Sequence, residues 1–121
     1  MAAFTMVNVV SYKVRDWEKA KEFYSKVLAW PVAYASDEVG WVEYGGEGMT
    51  HLSINRWESS DPMPLHGGAT AVLEVKSVSE MHAQLVAMGV RCEEPVSIPG
   101  VVNYCTFYDP EGNRLQFAGG E

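Results

Sequence analysis

One order of elements, written twice, constrains this chain more than any other feature. Residues Met6 to Val14 alternate and are rich in valine, which reads as a strand. Asp16 then stands where a helix N-cap belongs, and Trp17, Ala20, Tyr24, Val27 and Leu28 recur at helical spacing. Pro31 closes that helix, and three short strands are predicted at Val32–Ser36, Gly40–Tyr44 and Met49–Asn55. After a stretch without periodicity the order returns. Ala69–Lys76 reads as a strand, and Ser77-Val78-Ser79-Glu80 is a capping box. A helix follows with the stripe Val78, Met81, Leu85 and Met88 and a stop at Gly89. Strands are predicted at Val90–Ile98, Val101–Tyr108 and Arg114–Ala118. Val14-Arg15-Asp16 and Val75-Lys76-Ser77 hold equivalent places 61 residues apart, so the chain is read as an internal repeat.

The expected fold is α+β: two βαβββ modules, each with its helix on one face of its sheet. Two such sheets side by side predict a cupped, partly closed mixed β-barrel with the helices outside. The expected division is a single domain, 1–121, with module one at 5–56, a linker at 57–68 and module two at 69–119. The linker carries Ser59, Ser60, Pro62, Pro64, Gly67 and Gly68. Asp109-Pro110-Glu111-Gly112-Asn113 is the most specific local signal. Proline presets one turn position, Gly112 and Asn113 both tolerate positive φ, and the alternating Arg114–Ala118 follows.

A net charge of −7 argues against nucleic acid, whose binding rests on phosphate contacts. The same acidity suits a neutral or cationic small ligand, or serves solubility alone. No apolar run is long enough to span a bilayer, and the first residues lack the basic start and apolar core of a signal peptide. The expected location is cytoplasmic, where Cys92 and Cys105 remain free, half-buried thiols, with a redox role as the alternative. Gly45-Gly46-Glu47-Gly48 joins two strands and lacks the lysine of a phosphate loop, so it is read as a hairpin turn.

Val14-Arg15-Asp16, Phe23-Tyr24 and Val27-Leu28 in the first module, together with Asp109-Pro110-Glu111-Gly112-Asn113, resemble the vicinal oxygen chelate superfamily. This is also called the glyoxalase/bleomycin-resistance/dioxygenase family. The resemblance runs from about Val7 to Phe117 and implies paired βαβββ modules. One departure is Ala29, where the family usually has glycine. Members either hold one divalent metal for chemistry on vicinal oxygens or, without metal, sequester a drug. The family pattern puts the ligand places at Val9, Ser53, Thr70 and Gln116. Valine cannot ligate, and the two hydroxyls are poor ligands for zinc, nickel or iron. His51 shares a face with Ser53 and is either a second donor beside Gln116 or a residue hydrogen-bonded to its neighbours.

No metal and no other cofactor are therefore expected. Alternation places Val9, Ser11, Trp41, Glu43, His51, Ser53, Thr70, Glu74, Tyr104, Tyr108 and Gln116 toward a ligand, with Trp57 at its mouth. The aromatics suit a planar or cationic small molecule. Alternatively they fill the barrel, with Glu43 and Glu74 answering Lys13 and Arg114. The reading is a metal-free drug- or metabolite-binding protein, like the bleomycin-resistance members, that pairs as a homodimer. The alternative is an enzyme of the same fold, either a metal-dependent glyoxalase, isomerase or dioxygenase type or a metal-free one with Glu43, Glu74 or His51 as general base.

Overall fold

The computed structural model describes Ala3, residues 5–63 and residues 69–121. His66 and the linker's Pro64, Gly67 and Gly68 lie outside the described residues. The chain divides into two compact units, Met1–Pro64 and Leu65–Glu121. Each is a βαβββ module, and the fold is α+β.

The first unit runs β1 (Val9–Val14), α1 (Trp17–Leu28), β2 (Val32–Ser36), β3 (Trp41–Tyr44) and β4 (His51–Arg56). Its sheet order is β1-β4-β3-β2. β1 and β4 are parallel, and the other pairs are antiparallel. α1 begins as expected, with the Asp16 carboxylate accepting from the Lys19 N–H at 3.3 Å. It ends at Ala29, which takes the left-handed conformation at φ 52° and donates its N–H to the Ser25 carbonyl. Trp17, Ala20, Tyr24 and Leu28 are buried together with Val42, Tyr44, Leu52 and Ile54. Tyr44 Oη lies 3.2 Å from Ser25 Oγ of α1, which fixes the helix side of the sheet. Cross-strand register carries that side through Val42, Leu52 and Ile54. Each such side chain contributes about 1.5–3 kcal/mol by leaving water.

The second unit runs β5 (Ala71–Ser77), α2 (Val78–Ala87), β6 (Val96–Ile98), β7 (Val102–Tyr108) and β8 (Arg114–Gly120). Its order, β5-β8-β7-β6 with β5 and β8 parallel, repeats the first. Ser77 Oγ accepts from the Glu80 N–H at 3.2 Å, as the capping box requires. Val78, Leu85, Cys105, Phe107, Leu115 and Phe117 form the core.

Four local expectations are corrected. β1 starts at Val9 and not at Met6, because its parallel partner begins only at His51. β6 is Val96–Ile98 and not Val90–Ile98, since Pro95 cannot donate to the ladder. Upstream of it the chain keeps a single bridge, Cys92 to Phe107. Met88 is 48% exposed, so the apolar stripe of α2 stops at Leu85. Asn113 does not take positive φ; Gly112 alone does, at 91°. Asn113 serves instead through its side chain, with Nδ2 donating to Asp109 Oδ2 at 2.8 Å. The other oxygen, Oδ1, accepts from the Glu111 and Asn113 N–H groups at 2.9 and 2.8 Å.

Candidate functional site

The face of the first sheet turned away from α1 gathers six of the sequence-predicted residues. Parallel pairing sets Val9 beside His51 and Ser11 beside Ser53. Antiparallel pairing sets Glu43 opposite Ser53, with Trp41 two residues before it on the same face. The side-chain alternation expected from sequence holds across these strands.

Glu43 and His51 form the electrostatic centre of this face. His51 Nδ1 lies 2.5 Å from Glu43 Oε2, and His51 Nε2 lies 2.8 Å from the Gly46 carbonyl oxygen. A carbonyl only accepts, so Nε2 carries a proton, and the carboxylate calls for one on Nδ1 as well. The pair is an imidazolium and a carboxylate. The bond to Glu43, then that to Gly46, raises the His51 pKa above its ordinary value. The bond from His51 lowers the Glu43 pKa, against a smaller opposing effect of desolvation. Trp41 Nε1 donates to the other carboxylate oxygen at 3.2 Å. Of the two readings of His51, the structure supports the hydrogen-bonded one, since both ring nitrogens are engaged. Glu43 answers His51 and Trp41, not Lys13. A carboxylate in that position is a weakened base.

The glycine turn takes part in this arrangement. The Gly46 carbonyl holds the ring, and a β-carbon on Gly45 would overlap it. Sequence reasoning read Gly45-Gly46 only as a hairpin turn. Two glycines facing a histidine that starts the next strand were the available signal.

Ser53 is completely buried, and its Oγ has no hydrogen-bond partner. Beside it, Ser11 Oγ accepts from Asn55 Nδ2 at 2.6 Å. Trp57 follows β4, and its indole N–H donates to the Asp61 carbonyl at 3.0 Å.

The second sheet presents Glu74, Tyr104, Tyr108 and Gln116, and Thr70, expected within the first strand of this unit, lies just before β5 and outside it. Gln116 pairs across β7 with Thr106 and donates to its Oγ1 from Nε2 at 3.0 Å. Tyr104 pairs with Ala118, which in turn pairs with the exposed Glu74. Arg114 reaches Thr70: Nε and Nη2 donate to Thr70 Oγ1 at 3.1 and 3.0 Å. Tyr108 Oη donates to Glu93, and the Arg91 guanidinium sits 4.2 Å from its ring centre. Glu93 and Arg91 were missed because they precede the regular part of β6, where periodicity carries no signal.

The donor set does not fit a divalent cation. Val9 has no donor atom, and the hydroxyls of Ser53 and Thr70 are poor ligands for zinc, nickel or iron, which leaves Gln116 alone among the four places with a useful donor. Among the described residues, no group of three or more His, Cys, Asp or Glu side chains is placed to hold a metal ion. No helix among them is long and apolar enough to cross a membrane.

Two βαβββ modules, each a mixed four-stranded sheet with one helix, define the class of protein. The chain belongs to the Glyoxalase/Bleomycin resistance protein/Dioxygenase superfamily, whose profile matches residues 6–117. Among solved structures it is similar to TnmS3, an antibiotic binding protein from Streptomyces sp. CB03234. The identity is 25%, all of both chains is covered and the TM-score is 0.77. It shares its fold with lactoylglutathione lyase from Agrobacterium tumefaciens, at 18% identity, 98% and 96% coverage and TM-score 0.72. It shares it also with a mutant of the fosfomycin resistance protein FosX from Listeria monocytogenes. That structure holds Mn(II) and 1S,2S-dihydroxypropylphosphonic acid, at 17% identity, 100% and 93% coverage and TM-score 0.73. No curated protein matches the chain significantly.

Proposed function

We propose that this chain is a metal-free binding protein for a small planar drug or metabolite, and that it leaves its ligand chemically unchanged. The observation that carries the reading is the state of the first sheet's polar groups. The histidine that would be the natural metal donor has both nitrogens engaged, by Glu43 and Gly46, and the place next to it holds a serine. The similarity over its full length to an antibiotic binding protein supports sequestration. Val9, Ser11, Trp41, Glu43, His51, Ser53 and Trp57 are the proposed ligand-binding residues of the first unit. Thr70, Glu74, Tyr104, Tyr108 and Gln116 are those of the second.

The test pairs metal analysis of the native protein with a ligand screen read by tryptophan fluorescence. Metal far below one equivalent, with saturable quenching by planar compounds, is expected. One equivalent of zinc, nickel, iron or manganese overturns the reading. The Gln116→Ala variant is expected to hold no less metal than the parent.

We also propose a homodimer. β2 is an edge strand whose Val32 and Tyr34 are 55% and 53% exposed, apolar surface of the kind that association covers. A monomer mass in light scattering at micromolar concentration excludes it.

A further inference from the structure

We infer that the ligand meets the first sheet through an uncharged oxygen function, a phenolic hydroxyl or a ring carbonyl, and that Ser53 is the residue that recognises it. This rests on the binding reading above and narrows it to a ligand class.

The carboxylate on this face is already paired. Glu43 Oε2 is taken by His51 and Oε1 by the Trp41 indole. The charges of Glu43 and His51 cancel, so an incoming ammonium would lose its hydration shell without gaining a counter-charge. An incoming carboxylate gains nothing either, because His51 has no N–H left to donate. The ion pair is closed on itself.

Ser53 is the opposite case. In register it lies between Glu43 on β3 and Ser11 on β1. It is fully buried, and its hydroxyl has no partner. An orphan buried hydroxyl costs about 1–3 kcal/mol, and alanine would fill the same space without that cost. Its neighbours on the face, Ser11, Glu43 and His51, all keep some exposure while Ser53 has none, so a guest lying on them reaches the Ser53 hydroxyl when a neighbouring side chain moves aside. A serine hydroxyl both donates and accepts, so it satisfies a carbonyl as donor and a phenol as either. Ser11 adds a second hydroxyl, whose proton is not spent on the bond it accepts from Asn55. Trp41, half-buried on the same face, supplies apolar area for a ring.

The experiment uses three probes on one ring system: 2-naphthol, 2-naphthylmethylammonium and 2-naphthoate, titrated calorimetrically into the full chain. The naphthol is expected to bind about tenfold or more tighter than either ion. That is the size of one hydrogen bond gained against a desolvated charge left uncompensated. Ser53→Ala is expected to weaken naphthol binding about five- to tenfold and to leave the two ions unchanged. It should not lower the melting temperature, since it removes an unpaired group. Tightest binding by the ammonium probe, or naphthol affinity unchanged in Ser53→Ala, overturns this inference and leaves the binding reading standing. Binding by none of the three overturns the binding reading, and this inference with it.

Discussion

A β-carbon built on Gly45 would lie 2.3 Å from Cδ2 of His51. The turn and the ring therefore exclude any larger residue at this position, and φ at Gly45 is 146°, which L-residues rarely adopt. Gly45→Ala must either push the imidazole out of its place or shift the turn that carries the Gly46 carbonyl. The expected loss of stability is on the order of 2 kcal/mol or more, read by urea denaturation. The His51 pKa, followed by NMR, should fall back toward 6.5 as its two bonds loosen. An unchanged His51 titration would mean that the turn does not hold the ring.

The Glu43–His51 pair gives stability a defined pH dependence. His51 has its folded pKa raised above 6.5, so its contribution is complete below 6.5 and is lost as pH rises through the folded value. Glu43 has its folded pKa lowered below 4.5, so its contribution is complete above 4.5 and is lost as pH falls through the folded value. The pair is at full strength between those two pH values. The melting-temperature difference between the parent and His51→Gln should therefore be greatest there and shrink on both sides. In the Glu43→Gln background the same substitution should show little of this dependence, because the partner charge is gone.

Ala29 sits at φ 52° where α1 ends, the one non-glycine residue among those described with positive φ. Holding an L-residue in the left-handed region costs about 1–2 kcal/mol, partly offset for glycine by its greater freedom when unfolded. The exposed methyl meets no core contact that would repay the strain. Ala29→Gly is expected to stabilise the protein by about 0.5–1 kcal/mol, seen as a higher urea midpoint with an unchanged slope.

What was legible before the structure was whatever depends on local chemistry. The two N-caps, Asp16 and Ser77, follow from short side chains that reach their own backbone. Alternation sorted Leu52 and Ile54 from His51 and Ser53, because a strand that buries one face has a single workable register. What escaped depends on partners distant in sequence or on the backbone. The length of β1 is set by where β4 begins, and β6 is cut by Pro95 although its hydrophobic pattern runs on. The closure of His51 by a backbone carbonyl leaves no trace in side-chain periodicity. Nor does the missing partner of Ser53, since a serine in a strand reads the same whether its hydroxyl is satisfied or not.

Asp109 anchors the turn between β7 and β8 with more bonds than its turn type requires. Its carboxylate accepts from the Glu111 N–H, the Asn113 N–H and the Asn113 amide, and Asp109 and Asn113 are both buried. Removing the carboxylate leaves those donors without their acceptor in a site closed to water, so Asp109→Ala should cost about 2–4 kcal/mol. Asp109→Asn keeps one carbonyl oxygen for the two backbone N–H groups but turns an amide toward the Asn113 amide, donor against donor. It should cost less than the alanine change. Adding Asn113→Asp restores a donor–acceptor pair in reverse and should recover part of the loss. Urea denaturation of the three variants checks the order. If Asp109→Asn is as harmful as Asp109→Ala, and the reversed pair recovers nothing, the carboxylate's charge and not its bonding pattern is what the turn needs.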